Sequence, residues 1–313
     1  MTTDARDVRP RVVSLLPAGT EIVAALGALD SLVGITHECD FPPEVSGLPR
    51  VTASAVDRDA GSAEIDAAVR ELASAGMPVF ALDADDLVRL APTLILTQTL
   101  CEVCAVSEGD VRAIGDLLVP APRILALGGT SLDGVWEDIS AVGAALCRSA
   151  EAADLLASVS ARLRAVHETL KAARAPRRRV VVIEWLQPLY AAGHWTPEVV
   201  RRAGGIDGLA EPGTHSRRVS LDEVRAADPE LILVAPCGFD VARAEQEGRA
   251  LLDSAEWSWA RERSVWALDG NALTSRAGPR LADAVEVISA IVAPALFAPP
   301  RTDYARSLNL TSP

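Results

Sequence analysis

Two segments of this chain occur twice in the same order, and this internal repeat constrains the fold more than any other feature. Residues 21–32 resemble residues 198–209, and residues 85–96 resemble residues 222–233. The matches include Gly, Asp and Pro as well as apolar positions, which argues against the alternative of chance similarity between amphipathic helices. The repeat predicts two similar α/β lobes, and the cleft between two lobes is a common place for a ligand.

Strand and helix patterns alternate along both halves of the chain. Buried-strand patterns followed by helical periodicity predict parallel sheets with helices on both faces, that is, Rossmann-like lobes. Thr20 is predicted to cap a helix that starts at Glu21. The predicted strands are 12–16, 32–36, 78–82, 93–97, 123–127, 180–183, 230–234 and 265–268. The predicted helices are 62–75, 108–118, 197–203, 221–227 and 279–297.

A long helix is predicted between the two lobes. Residues 151–174 contain neither Gly nor Pro, and one face of that helix carries Leu155, Val159, Leu163, Val166 and Leu170. At about 35 Å it is long enough to brace two lobes, and a coiled-coil or oligomer contact is the alternative. The predicted layout is a tail (1–10), a lobe (11–147), the connecting helix (148–176), a second lobe (177–297) and a loose, proline-containing tail (298–313).

Charge and hydropathy exclude two classes of partner. Thirty Lys and Arg against 43 Asp and Glu give a net charge of −13, which argues against nucleic acid. The longest apolar stretch is interrupted by Pro17, Glu21 and Asp30, so a membrane-inserted protein is not expected. The first residues lack the pattern of a signal peptide, which predicts a cytoplasmic protein. A monomer is expected.

Candidate ligand-binding residues follow the predicted strands, because ligands of open α/β sheets bind beyond the carboxyl ends of the strands. Aromatic residues make up 4% of the chain, yet three of them fall within residues 185–195, which suits a large flat ligand. Core packing is the alternative for Trp185, whereas Trp195 is expected to be exposed. The candidates are Pro17, Thr20, His37, Glu38, Cys39 and Gln98 in the first lobe, and Trp185, Tyr190, His194, Trp195, Phe239 and Asn271 in the second.

Cysteine and histidine spacing leaves a metal site open. Cys101 and Cys104 have the spacing of a metal hairpin or a redox pair, and Cys237 is a further metal candidate on a strand-end loop. A closed zinc site normally needs four ligands, so ordinary buried thiols are the alternative. His194 could instead be an axial ligand to a metal held in a cofactor. His167 and His215 are assigned structural roles.

Motifs for catalysis are absent from the sequence. The Gly pairs at 128–129 and 204–205 are too short for a phosphate loop, and the sequence contains neither a nucleophile elbow nor a catalytic triad. The sequence therefore predicts a protein that is not an enzyme and has no catalytic cofactor.

Several motifs resemble one family. Residues 11–21, 33–37, 231–234, 269–271 and 276–281 are similar to the cobalamin-type substrate-binding proteins of ABC importers, within the class that binds iron-siderophores, haem and vitamin B12. The resemblance implies a class III substrate-binding-protein fold, with two lobes joined by one rigid helix, a cobalamin or related corrinoid held between them, and an extracytoplasmic location if the start is trimmed.

The resemblance also implies a membrane partner. One acidic residue on each lobe would dock onto arginines of an ABC permease, and by motif position these residues are Asp85 and Asp222. Family members commonly have Glu there, and helix capping is the alternative role for both aspartates.

Two other functions remain open. One is an intracellular metal or thiol protein that uses Cys101 and Cys104. The other is a haem or ferric-siderophore binding protein, for which Arg276 and Arg280 are the candidate cleft arginines.

Overall fold

The computed structural model describes residues 9–99, 109, 111, 115 and 118–309. These residues fall into two compact units. The described residues of unit 1 lie within Met1–Ala60, Ala67–Gly129 and Asp133–Leu156, and those of unit 2 lie within Gly61–Asp66, Thr130–Leu132 and Ala157–Pro313.

A four-stranded parallel sheet in the order β2-β1-β5-β6 lies at the centre of unit 1. Val13 on β1 and Ile95 on β5 are fully buried and pack with Val51, Leu87 and Leu90. The elements of this half of the chain are β1 (Val12–Ser14), α1 (Pro17–Ala25), β2 (Leu32–Ile35), β3 (Thr52–Ser54), α2 (Ser62–Ser74), β4 (Phe80–Leu82), α3 (Ala84–Leu90), β5 (Leu94–Gln98), β6 (Arg123–Leu127) and α4 (Leu132–Ala145).

Helix α5 (Ser149–Ala172) follows, and then the elements of unit 2. They are β7 (Arg178–Trp185), β8 (Tyr190–Ala191), α6 (Thr196–Arg202), β9 (Gly205–Asp207), β10 (Arg217–Arg218), α7 (Leu221–Ala226), β11 (Leu231–Val234), α8 (Val241–Asp253), β12 (Ser264–Leu268), α9 (Gly270–Leu273), α10 (Leu281–Val292) and β13 (Ala305–Ser307).

The sheet of unit 2 contains the same parallel core as unit 1. Strands β9, β7, β11 and β12 are parallel neighbours in that order, which matches the order β2-β1-β5-β6. Unit 2 adds antiparallel strands at both sides, because β8 and β10 extend the sheet from β7, and β13 pairs with β12. The predicted α/β fold with parallel sheets is confirmed.

The backbone repeats wherever the sequence repeats. Gly27 follows α1 with φ +68° and Gly204 follows α6 with φ +92°, so both helices end in a left-handed residue that glycine adopts readily. Ala91 and Asp228 both have φ +42°, and each directly precedes a proline and the next strand. Chance similarity between helices would not reproduce four unusual dihedral angles in matching positions.

Helix α5 has 24 residues, the length of the predicted helix at 151–174, and it begins two residues earlier. Within unit 2, Val159 and Val166 of its predicted stripe are 3% and 4% exposed. Next to this apolar stripe, Arg162 forms hydrogen bonds with Asp283 and Glu286 of α10. The helix is therefore attached to unit 2 by both apolar and charged contacts.

Two details of the predicted first half differ from the structure, and a third lies mostly outside the described residues. Helix α1 begins at Pro17, not Glu21, because proline is well suited to the first turn, and Thr20 lies fully buried inside the helix instead of capping it. The strand predicted at 78–82 forms β4, which pairs antiparallel with β3 in a separate two-stranded sheet. Most of the helix predicted at 108–118 lies outside the described residues.

The chain end also differs from prediction. The helix predicted at 279–297 is shorter, since α10 ends at Val292. Residues 298–309 are not a loose tail, because β13 pairs with β12 and Leu308 is 3% exposed within the core of unit 2. The buried side chain of Leu308 and the pairing of residues 305–307 with β12 hold this segment in place, although its composition is mostly polar.

Candidate functional site

Two loops of unit 1 meet at the carboxyl end of its sheet. The loop after β1 leads into α1, and the loop after β2 contains His37, Glu38 and Cys39. The Thr20 hydroxyl lies 3.0 Å from the Cys39 thiol, and both side chains are buried. Thr20 in α1 and Cys39 in the loop after β2 therefore form a buried contact, and neither side chain is part of the surface.

His37 has a half-buried imidazole at the carboxyl end of the sheet in unit 1. Its Nδ1 lies 2.7 Å from the Thr52 hydroxyl, which also accepts a hydrogen bond from the His37 amide at 3.0 Å. Burial lowers the pKa of His37 below its ordinary value, and the nearby charges of Arg58 and Arg50 lower it further. The imidazole is thus kept neutral, which is the form that binds metals.

Arg50 holds the main chain of the His37 loop in place. Its guanidinium donates hydrogen bonds to the carbonyl oxygens of His37 at 2.8 Å and Cys39 at 3.1 Å. Pro17, Glu38 and Gln98, which were also predicted to bind ligand, are half-buried at the same end of the sheet. Cys101 and Cys104 lie outside the described residues.

An aromatic pair follows β7 and β11 in unit 2. Trp185 is half-buried and contacts Phe239 edge to face, with 5.4 Å between the ring centroids. Phe239 is 2% exposed, and the Arg243 guanidinium lies 3.5 Å from the centre of its ring. Phe239 therefore supports Trp185 from below, and Trp185 presents the accessible aromatic surface. Tyr190 on β8 is half-buried.

The exposure predicted for Trp195 is wrong. Its side chain is 7% exposed, and its indole N–H donates a hydrogen bond of 2.8 Å to the carbonyl oxygen of Thr274. Trp195 directly precedes α6, so this buried hydrogen bond fixes the start of that helix to the loop after α9.

Two histidines, one of them missed by the sequence analysis, lie together in unit 2. His194 Nε2 is 3.2 Å from His215 Nδ1, although the residues are 21 positions apart. His194 is half-buried and His215 is exposed. Burial lowers the pKa of His194, and the neighbouring His215 lowers it further. His215 follows a Pro-Gly-Thr turn, which gave no hint that the turn folds back onto residues 193–194.

Glu184 lies next to this pair at the end of β7. The Gly193 amide donates a hydrogen bond to its carboxylate, and the Ser216 side chain lies close to it. Burial is the larger effect and raises the pKa of Glu184. A carboxyl group, two imidazoles and Trp185 thus occupy adjoining loops of unit 2.

The loop after β12 is organised by charged groups. Asp269 accepts a hydrogen bond from the Ala272 amide at 2.7 Å and so caps α9, while burial raises its pKa to about 6. Arg276 is 3% exposed and donates to the Asn271 side chain at 2.8 Å. Arg276 is thus a buried support for Asn271, whereas Arg280 is half-buried.

The two aspartates predicted to dock on a permease occupy matching places. Asp85 and Asp222 are each the second residue of a helix, α3 and α7, and both are exposed. The caps of these helices are the preceding residues Asp83 and Ser220, which accept hydrogen bonds from main-chain amides in the first turn. Capping therefore does not explain Asp85 and Asp222.

The metal site that the sequence left open depends on Cys101 and Cys104, which lie outside the described residues. Within the described part of the chain, no group of three or more His, Cys, Asp or Glu side chains is arranged to hold a metal ion. Cys237 is exposed on the loop after β11, and Cys39 is buried in the other unit.

Two repeated α/β units, each with a four-stranded parallel core and polar or aromatic side chains beyond its strands, define the architecture of a class of ligand-binding proteins. The chain belongs to the periplasmic binding protein family, whose sequence model matches residues 12–258. This family consists of extracytoplasmic, non-enzymatic proteins that bind small molecules and work with ABC permeases.

Individual relatives are similar along most of their length. The vitamin B12-binding protein of Vibrio cholerae serotype O1 is 24% identical over 283 residues, which cover 89% of this chain and 87% of that protein. A periplasmic haem-binding protein from Pseudomonas aeruginosa has a TM-score of 0.73 at 20% identity and covers 96% of this chain and 98% of its own.

The structure of the vitamin B12-binding protein BtuF of Vibrio cholerae has a TM-score of 0.63 at 21% identity, with coverage of 91% and 96%. The resemblance to cobalamin-type binding proteins is confirmed by these similarities. In the ranges that the structure covers, none of the helices has both the length and the apolar character needed to cross a bilayer.

Proposed function

We propose that this protein binds cobalamin or a related corrinoid and delivers it to an ABC importer. The observation that carries the proposal is Trp185, a half-buried indole at the end of β7 that Phe239 supports from below. An aromatic side chain held by a second ring presents a large apolar face at little cost in conformational entropy. Full-length similarity to a vitamin B12-binding protein supports the same ligand class.

His37 is the proposed partner for the ligand's metal. The Thr52 hydroxyl lies 2.7 Å from Nδ1 and fixes the ring, in the way that metal-binding histidines are commonly oriented by a second group. In the tautomer with its proton on Nδ1, Nε2 carries the lone pair that would bind the metal. The lowered pKa keeps that lone pair available at neutral pH. His194 is a weaker candidate for this role, because its Nε2 faces His215.

Haem is the second candidate ligand, and His37 is the observation that favours it. Haem iron is commonly bound by a neutral histidine, and a haem-binding protein from Pseudomonas aeruginosa has a similar fold. Both candidates are flat metal chelates, so they make the same demand on Trp185 and differ in the spectrum of the bound metal.

A titration tests the proposal. The purified full-length protein is titrated with cyanocobalamin, aquocobalamin and hemin, and calorimetry and visible spectra are recorded. We expect corrinoid binding at micromolar concentrations or below, and roughly tenfold weaker binding for Trp185→Ala. His37→Ala should change the spectrum of bound aquocobalamin or hemin. Trp266→Ala, which removes a half-buried Trp from β12, is the matched control.

The outcomes separate the candidates. Binding of hemin alone would replace cobalamin with haem, and binding of neither chelate would overturn both. Equal affinities for Trp185→Ala and Trp266→Ala would remove Trp185 from the site even if the ligand class is right.

A further inference from the structure

We infer that His194 and His215 form a two-histidine site for a divalent first-row metal ion such as Zn²⁺, separate from any metal carried inside the ligand. The two nitrogens that face each other, Nε2 of His194 and Nδ1 of His215, are 3.2 Å apart. Two imidazole nitrogens that bind one tetrahedral zinc ion at 2.0–2.1 Å lie about 3.3 Å apart. The observed spacing therefore equals that of a chelating pair.

The backbone around the pair is built to bring these rings together. His194 has φ +54°, a left-handed conformation that is costly for a residue with a side chain. The conformation is held from both sides, since the His194 amide donates to the Thr214 carbonyl and the Gly213 amide donates to the His194 carbonyl at 2.8 Å. Such strain, maintained by the surrounding main chain, is a common property of binding sites.

Gly193 is required for the same approach. A Cβ atom at residue 193 would lie 2.3 Å from the Ser216 nitrogen and 2.6 Å from the Thr214 oxygen, both of which are main-chain atoms that cannot move aside cheaply. The turn that carries His215 can thus pack against the main chain of residues 193–194 only because residue 193 is glycine. The main-chain positions that carry the two imidazoles are therefore fixed relative to each other.

The site is open, which fixes what it can bind. In the described residues, no third His, Cys, Asp or Glu completes a metal cluster, so water or a donor from a second molecule must fill the other positions. Neutral imidazoles favour Zn²⁺, Cu²⁺, Ni²⁺ and Co²⁺ over Mg²⁺ and Ca²⁺, which prefer oxygen ligands. The ring planes are nearly perpendicular, at 88°, so the rings do not stack on each other.

Nitrogen-15 NMR of the metal-stripped, ligand-free full chain tests the site. The chain is labelled in its histidine rings and titrated with ZnCl₂ at pH 7.5. We expect the ring nitrogens of His194 and His215 to shift together, with His194→Ala and His215→Ala each weakening this binding by about tenfold or more. His167→Ala removes an exposed histidine of α5 and should leave the binding unchanged.

A conservative variant separates metal binding from a structural hydrogen bond. His215→Asn places an amide near the position of Nδ1 and can keep a hydrogen bond to His194, yet it should weaken zinc binding about as much as alanine. If zinc shifts neither ring, or if His215→Asn binds zinc as the natural chain does, the pair is a structural hydrogen bond and the inference is wrong. Because corrinoid is left out, this result does not depend on the proposed function.

Discussion

Asp207 at the end of β9 carries a buried carboxyl group, and only one of its two oxygen atoms is hydrogen-bonded within the part of the chain that the structure describes. Its Oδ1 accepts from the amides of Leu209 at 2.9 Å and Ala210 at 3.1 Å, whereas Oδ2 is buried without a hydrogen-bond partner in the described structure. Burial is the main cause that raises the pKa of Asp207 from 3.8 to about 6, and the charge of Glu211 adds a smaller increase. At the matching position of the first repeat, Asp30 instead pairs with Arg9 at the surface.

This carboxyl group should make unit 2 less stable as the pH rises. The folded state holds the proton of Asp207 more tightly than the unfolded state does. Ionisation of Asp207 therefore lowers the free energy of unfolding above the unfolded pKa, and this loss reaches its full size above about pH 6. Asp207→Asn should remove this pH dependence, so that between pH 5 and pH 7.5 the natural chain loses about 1–2 kcal/mol relative to the variant.

Urea denaturation at several pH values measures this difference. Asp30→Asn is the matched control, since it removes a carboxylate at the equivalent repeat position on the surface. If the natural chain and Asp207→Asn show parallel stability profiles from pH 5 to pH 7.5, Asp207 does not titrate in this range.

Helix α5 is fastened to α10 in unit 2 by one arginine with two acidic partners. Arg162 Nε donates to Glu286 at 2.8 Å, and Nη2 contacts both Glu286 and Asp283. These hydrogen bonds raise the pKa of Arg162 above its ordinary value despite its partial burial. The planar guanidinium fits this arrangement, and a lysine ammonium cannot reproduce it.

Replacing Arg162 should loosen this contact between helices. Arg162→Met keeps most of the apolar stem but leaves Asp283 and Glu286 facing each other, which should lower the free energy of unfolding by about 1–2 kcal/mol. Arg162→Lys should recover only part of the loss. Arg164→Met, at an exposed position of the same helix, should be nearly neutral in the same urea titration. Equal effects of the two Met variants would contradict this account.

Sequence periodicity predicts the long elements well and the short ones poorly. The strand at residues 123–127 and the start of α2 at Ser62 match the structure, because their apolar patterns are strong. Strands β8 and β10 have two residues each, too few for any period, and they exist because β7 offers an edge for pairing. The start of α1 was missed because Thr20 was interpreted as the cap of a helix that starts at Glu21, whereas Pro17 already occupies the first turn.

Docking to a membrane partner is a prediction about the whole molecule. Asp85 in unit 1 and Asp222 in unit 2 are exposed at the second positions of α3 and α7, and the caps of these helices are other residues. Asp85→Ala and Asp222→Ala should each weaken binding to the detergent-solubilised cognate permease, and the double variant should weaken it further, with a loss that shrinks in high salt. Corrinoid affinity, measured in parallel, should not change.

A control isolates the position of these charges from the net charge of the chain. Asp154→Ala removes an exposed aspartate of α5 and should bind the permease as the natural chain does. Should the double variant also bind normally, the two aspartates are ordinary surface residues.

The candidate site shows where sequence reasoning reaches its limit. The rule that ligands lie beyond strand ends led to His37 and His194, which lie on loops after strands, and to Trp185, which is the last residue of β7. It could not tell which of these side chains turn inward, so Trp195 was taken as exposed although its indole N–H has a buried partner at Thr274. His215 was assigned a structural role, because only the folded turn brings it to His194.

The left-handed residues shared by the two units all lie where a helix leads into a strand, at the amino ends of the parallel strands. The loops with His37, Trp185 and His194 lie at the opposite, carboxyl ends. The turns that shape each sheet and the candidate ligand-binding residues therefore lie at opposite ends of the strands, so substitutions at one end need not disturb the other. The candidate ligand-binding loops of this protein could be replaced by those of a relative while the turns that shape both sheets stay intact. The fold would then serve as a scaffold for engineered chelate sensors.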